Sequence, residues 1–137
     1  MRIFLDANIL FSGSLPGSLL SVFLNELQHH AEFLTNAYAA AEAERNLAAK
    51  FTKGLPGFKK LASSIEIIPL HLFDLEVNLA EKDRPILCGA IAGKAEFLLT
   101  GDRKDFGRLF GKSVGGVKIV TVELLIEELA DRGILDF

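Results

Sequence analysis

The chain has one cysteine, Cys88, in 137 residues, so no internal disulfide can form and the fold does not depend on an oxidising compartment. With no second cysteine, and only His29, His30 and His71, there is no Cys/His zinc spacing. Apolar stretches such as Ile3 to Leu5 and Ile119 to Val122 fall far short of the roughly 18 to 20 residues that span a bilayer, and the N-terminus lacks a basic-then-apolar export signal. A cytoplasmic location with no membrane partner is expected. Positive charge is not in excess: the formal net charge is -3, which does not suggest a broad basic surface for nucleic acid. A local basic rim is still available from Lys82, Arg84, Arg103, Lys104, Arg108 and Lys112. There is no Gly-x-Ser-x-Gly elbow to make Ser12, Ser14 or Ser18 a hydrolase nucleophile. The Gly13 to Gly17 segment lacks the endings of a P-loop or dinucleotide fingerprint and reads as a loop at the mouth of a site.

Half the residues are apolar and 24% are charged, a globular balance at a length suited to one domain over residues 1–137. Arg2 to Leu5 is a nearly continuous apolar run entering the polar turn Asp6-Ala7-Asn8, the pattern of a buried strand. Leu19, Leu20, Phe23, Leu24 and Leu27 recur at helical spacing behind the capping residue Ser18. Glu32 to Thr35 reads as a strand, and Asn36 as the cap of an Ala-rich helix to about Phe51. Gly54, Pro56 and Gly57 break that helix. A short helical piece with Phe58 and Leu61 follows, then a strand over Ile65 to Ile68. Leu70 to Leu79 is either helical or irregular. Asp83 and Pro85 mark a helix start whose apolar face holds Ile86, Leu87, Ala90 and Ile91. Glu96 to Thr100 is a strand, Asp102 caps a short helix through Leu109, Lys118 to Val122 is the last strand, and Glu123 to Ala130 the last helix. Alternating strands and helices predict an α/β fold: a parallel sheet covered on both faces.

In such sheets ligands bind outside the carboxyl ends of the strands, so the residues just after each strand are the candidates for chemistry. Asp6 follows the first strand, Asp102 and Asp105 follow Glu96 to Thr100, Glu42 or Glu44 lies in the helix after the second strand, and Asp83 stands at its own helix start. Each acid alone is explained by capping or the helix dipole. Together, three junctions deliver carboxylates to one edge of one sheet. Gathered carboxylates repel and take up protons unless a cation neutralises them. Oxygen-only ligation suits hard ions such as Mg²⁺, which can activate water and stabilise charge on a phosphodiester.

These residues also carry a resemblance. Ile3-Phe4-Leu5-Asp6-Ala7-Asn8-Ile9-Leu10, Lys82-Asp83-Arg84-Pro85-Ile86-Leu87 and Leu99-Thr100-Gly101-Asp102-Arg103-Lys104-Asp105-Phe106 resemble, in order, the opening, central and third acidic motifs of PIN domains. The resemblance implies a three-layer α/β/α sandwich with a central parallel sheet and a metal-dependent endoribonuclease using Mg²⁺ or Mn²⁺. It also implies, in many members, the toxin half of a toxin-antitoxin pair, with an antitoxin partner and a homodimer. Metal ligands would be Asp6, Asp83 and Asp102 or Asp105. Asn8 and Thr100 would be polar supports. Gapless reading against Tyr38 and Leu47 selects Glu42 as the helix acid, whereas helical geometry puts Glu44 nearer the apolar side.

Arg84, Arg103 and Lys104 lie beside the acids and could meet RNA phosphates or offset the acids' repulsion. Cys88 reads as a small buried residue, and the eleven phenylalanines as core packing, with Phe106 anchoring the acid-bearing turn. The leading expectation is a ribonuclease with Asp6, Glu42, Asp83, Asp102 and Asp105 as its acidic cluster. The rival is a PIN-like module that binds RNA or protein without turnover. A receiver-like or phosphatase domain is weaker, since its nucleophile signature is missing.

Overall fold

The computed structural model describes residues 1–134; positions 135–137 of the expected domain span lie outside the described residues. The elements run β1 (Arg2–Leu5), α1 (Ala7–Ser14), α2 (Leu19–Leu27), β2 (Glu32–Asn36), α3 (Ala37–Lys50), α4 (Leu55–Ser63), β3 (Glu66–Ile68), α5 (Arg84–Ala92), β4 (Phe97–Leu99), α6 (Arg103–Phe106), β5 (Ser113–Val114), β6 (Val117–Val120) and α7 (Val122–Asp131). Local chemistry sets many of the boundaries. Ser18, Asn36 and Thr121 each accept a hydrogen bond from a backbone N–H in the first turn of the following helix, satisfying donors that the helix itself leaves unpaired. Pro85 sits in the first turn of α5, where its missing N–H costs nothing.

The strands form one six-stranded sheet in the order β3-β2-β1-β4-β6-β5, parallel except for the edge pair β5 and β6. Ile3, Phe4 and Leu5 are consecutive in β1 and all fully buried. Because neighbouring side chains in a strand point to opposite faces, both faces of the sheet must be covered. Phe4 and Leu34 are in register, and Gly89 and Gly93 of α5 lie close over them. On the opposite face, Ile3 is in register with Phe97, and the Arg132 guanidinium behind α7 stacks over the Phe97 ring at 5.3 Å. The result is the three-layer α/β/α sandwich expected from the sequence.

This strand order locates the site. From β1 the chain winds outward to β2 and β3, then returns to the other side of β1 with β4 and β6. The connections leaving β1 and β4 therefore diverge, opening a crevice at the carboxyl ends of these two neighbours, as at any switch point of a doubly wound sheet.

The structure departs from the sequence reading in four places. The Asp6-Ala7-Asn8 turn is the first turn of α1, entered directly from β1. Gly13 belongs to α1, close to Leu24, and Gly13 to Pro16 line a separate cavity with α4 instead of the mouth of the site. The last strand begins at Val117 and is preceded by β5 in a tight hairpin. Its turn residues Gly115 and Gly116 have φ of +57° and +84°, which the Gly-Gly pair supplies without steric cost. Phe51 and Phe73 remain 54% and 43% exposed, unlike Phe106, which is fully buried as expected.

The 70–79 stretch carries no helix or strand. It is held by the Arg84 guanidinium, which donates to the carbonyls of Leu75 at 3.2 Å and Val77 at 3.5 Å. Cys88 is buried, its thiol 3.3 Å from the Phe73 carbonyl. Among the described residues no single helix is long and apolar enough to cross a membrane.

Candidate active site

Asp6 ends β1 and caps α1. Its Oδ1 accepts from the Ala7 N–H at 2.6 Å, and its Oδ2 accepts from the Thr100 hydroxyl at 2.7 Å and the Asn8 side-chain amide at 3.2 Å. Burial, reinforced by the charges of Glu42 and Asp102, pushes its carboxyl up to about 6 in spite of these hydrogen bonds. Thr100, fully buried at the end of β4, is the hub of the junction. Its hydroxyl also lies 3.3 Å from the Asn8 amide nitrogen and accepts from the Asp102 N–H at 3.1 Å. Asn8 Oδ1 in turn accepts from the Gly101 N–H at 2.8 Å. The carboxyl ends of β1 and β4 are thus tied together by side chains that continue where strand pairing stops.

Asp102 caps α6, its Oδ1 accepting from the Asp105 N–H at 3.0 Å. Phe106, buried beneath, fixes that turn. Asp83 sits at the entrance of α5 but makes no capping hydrogen bond. It is only 7% exposed, and its Oδ2 is buried without a hydrogen-bond partner. Such an atom carries the full cost of desolvation. Asp83, Asp102 and Asp105 each offer a carboxylate oxygen within 4.8 Å of the others. Burial, the contact with Asp105, and the charges of Asp105 and Asp102 push Asp83 up to about 7. Asp105 is held below the usual carboxylate range by Lys82, whose Nζ lies 2.9 Å from Asp105 Oδ2.

The support behind Asp83 comes from β2 and α3. The Asn36 side chain accepts from the Ala39 N–H and donates to the Pro85 carbonyl at 3.0 Å, linking the end of β2 to the start of α5. Tyr38 Oη donates to the Lys82 carbonyl at 3.0 Å. Gly89 permits this approach, since a Cβ there would lie 2.5 Å from Asn36 Nδ2.

Asp6, Asn8, Glu42, Asp83 and Asp102 line one cleft of about 620 Å³. Of the two glutamates left open by the sequence, Glu42 faces this cleft and Glu44 does not. Ala39, Ala43 and Leu47 are the buried residues of α3, so a residue one position before each lies on the flank of that face. Asp105 belongs to the cluster with Asp83 and Asp102 and is paired with Lys82, but it does not line the cleft.

The basic residues that neighbour the acids in sequence do not all reach the site. Arg84 is turned to the carbonyls of the 70–79 stretch. Arg103 is exposed, with Glu123 at 3.8 Å, and Lys104 is exposed outside the cleft lining. The cations at the cleft are Lys82 and Lys50, joined by the polar side chains of Asn46 and Ser12. Lys50, Asn46 and Ser12 are absent from the residues expected at the site. The signal that could have found the first two is the four-residue recurrence of Glu42, Asn46 and Lys50, a polar stripe along one side of α3.

No family model matches the chain, and no curated protein matches it by sequence. Solved structures do. VapBC2 from Rickettsia felis, bound to a DNA fragment from its promoter, aligns with a TM-score of 0.67 at 18% identity, over 88% of this chain and 98% of that one. FitAB bound to an IR36 DNA fragment aligns at 0.54 and 18% identity, over 87% and 94%. VapC20 of Mycobacterium tuberculosis, a sarcin-ricin loop cleaving toxin, aligns at 0.56 and 10% identity, over 82% and 98%. By this likeness the chain has the PIN-domain fold, a mostly parallel central sheet between helical layers.

Proposed function

We propose that this protein is a metal-dependent endoribonuclease that hydrolyses RNA phosphodiester bonds in the cleft between β1, β4 and α5. The observation that carries the reading is the convergence of Asp6, Glu42, Asp83 and Asp102 on one cleft, with a buried, unpartnered oxygen on Asp83. So many carboxylates, and an orphaned acceptor among them, need a cation. The donor set is all oxygen, which suits Mg²⁺ or Mn²⁺ and no softer metal. Asp6, Glu42, Asp83, Asp102 and Asp105 would hold the ion, the last three having carboxylate oxygens within 4.8 Å of one another. When bound, it supplies an activated water and charge stabilisation at a phosphoryl oxygen.

The chain's own residues do the positioning. Thr100 and Asn8 fix the Asp6 carboxylate in one orientation, and their shared bonds to the backbone of Gly101 and Asp102 hold the second acid at a set distance. Lys50 and Lys82 draw the phosphate backbone towards an otherwise acidic cleft. Asn46 and Ser12 offer hydrogen bonds to ribose or phosphate oxygens. The completeness of the acid set favours turnover over a binding module that has lost catalysis.

The same reading gives a cytoplasmic toxin paired with a second copy and held by an antitoxin, the last supported by the likeness to the VapBC2 and FitAB complexes. The exposed Leu19 and Val22 on α2 are apolar surface suited to a protein partner.

The test is cleavage of a mixed panel of structured and single-stranded RNAs with Mg²⁺ or Mn²⁺, comparing the wild type with Asp6→Asn and Asp83→Asn. Cutting that needs the ion and is lost in both variants, while both stay folded, is the expected result. Equal activity in all three proteins would refute the assignment.

A further inference from the structure

Lys82 holds an unusual place in the acidic cluster. Its side chain is 67% exposed and could sample open solvent, yet its ammonium lies 2.9 Å from Asp105 Oδ2, itself only 14% exposed. Its backbone is anchored, because the Lys82 carbonyl accepts from Tyr38 Oη and the next residue is Asp83 at the α5 entrance. The other cation lining the cleft, Lys50, lies in the last turn of α3, and Arg84 and Arg103 are engaged elsewhere. Lys82 is therefore the cation at the cluster of Asp83, Asp102 and Asp105, whose oxygens lie within 4.8 Å of one another, and it pairs directly with Asp105. The pairing is incomplete: the ammonium lies 2.9 Å from Asp105 Oδ2 as an ion pair, yet neither that oxygen nor the buried Oδ2 of Asp83 has a hydrogen-bond partner.

We infer that Lys82 is the resident counter-cation of this cluster, and that a divalent ion must displace its ammonium from Asp105 in order to bind. This rests on the metal-dependent reading above and adds a competitor to it. Three carboxylates close together destabilise one another in the absence of cations, and a tethered ammonium offsets part of that repulsion at no cost in association entropy. A divalent ion would bring twice the charge, and the unpartnered Asp83 oxygen would be a further ligand for it, which favours the exchange. The freed ammonium remains tethered at the rim of the cleft, where an incoming phosphate can take the place of Asp105 as its partner. Metal loading and the availability of Lys82 for substrate are thus one event.

The experiment is Mn²⁺ titration of the full chain by calorimetry and by loss of the free-ion electron paramagnetic resonance signal, without RNA. It compares wild type, Lys82→Met, Lys82→Arg and, as a distant charge control, Lys60→Met. Methionine keeps the apolar stem and removes the competitor, so Lys82→Met should bind Mn²⁺ about three- to tenfold more tightly, the scale of an exposed pair released together with its charge. Lys82→Arg should stay within about twofold of wild type, since it keeps charge and reach, and Lys60→Met should not change. Far-UV dichroism and thermal melts check that each variant is folded. Equal or weaker affinity in a folded Lys82→Met would overturn the inference while leaving the metal site intact. Absence of Mn²⁺ binding in every protein would overturn both it and the metal-dependent reading.

Discussion

Replacing Thr100 by valine tests the junction that builds the site. The substitution keeps the shape of a fully buried side chain and removes one hydroxyl, which donates to Asp6 at 2.7 Å and accepts from the Asp102 N–H at 3.1 Å. Asp6 has its carboxyl raised from 3.8 to about 6. A raised carboxyl means that the folded state holds its proton more tightly than the unfolded state, so stability falls as pH rises from about 4 through about 6. For Asp6 that loss is about 3 kcal/mol at about 1.4 kcal/mol per pH unit. The Thr100 hydroxyl opposes it by bonding to the charged form. Without the hydroxyl the Asp6 carboxyl rises further, so the extra destabilisation develops above pH 6, where the wild-type carboxylate is ionised. Hydrogen bonds to charged groups contribute about 1.5–3 kcal/mol against about 1 for neutral ones. The variant should therefore lose about 2–3 kcal/mol at pH 8 and about 1 kcal/mol at pH 5. Urea denaturation of both proteins in EDTA at the two pH values measures the difference. A loss that is the same at pH 5 and pH 8 would refute the argument, because it would mean that the hydroxyl does not support the charged form of Asp6.

Three further outcomes follow from the same geometry. Added Mn²⁺ should raise the melting temperature more at pH 8 than at pH 5, because Asp6 and Asp83, raised to about 6 and about 7, bind protons at the lower pH in competition with the ion; scanning calorimetry at both values checks the order. Glu42→Gln should weaken Mn²⁺ binding at least about tenfold, as losses at metal sites commonly do, while Glu44→Gln leaves it unchanged; parallel titrations decide between the two glutamates. Gly89→Ala should cost about 1–3 kcal/mol, since the new methyl group would meet Asn36 Nδ2 at 2.5 Å and the Phe4 ring at 2.9 Å. Chemical denaturation reads that loss, and a neutral result would show that α5 can move away from the sheet freely.

Local pattern and local chemistry coincide through much of this chain, and there the sequence alone was informative. The apolar run of β1, the caps Ser18, Asn36 and Asp102, and Pro85 at the start of α5 are signals that act within a few residues. The structure places these elements where those signals do. Alternation of strand and helix was enough for the sheet and its two helical layers, and acids placed after strands picked out Asp6 and Asp102, an acid at a helix start Asp83, all three of which line the cleft. The Gly115-Gly116 hairpin and the stripe of Glu42, Asn46 and Lys50 are also written in the sequence, but each signal is short and is outweighed by stronger neighbours.

Tertiary structure decided what depends on direction and distance between separate segments. Whether a charged side chain near an acid turns into the cleft is set by packing: Arg84 points to the carbonyls of Leu75 and Val77, Lys82 to Asp105, and Lys50 reaches the cleft from the far end of α3. The Thr100 hydroxyl serves Asp6 across 94 positions of chain, a pairing no local pattern encodes. The sequence by itself determined which residue types stand at the strand ends, because capping, burial and helix entry are satisfied within a turn. Only the fold determined that Asp6 and Asp102 share one cleft with Asp83, whose buried Oδ2 is left without a hydrogen-bond partner, because the pairing of β1 with β4 brings the strand ends together and α5 packs against the same strands.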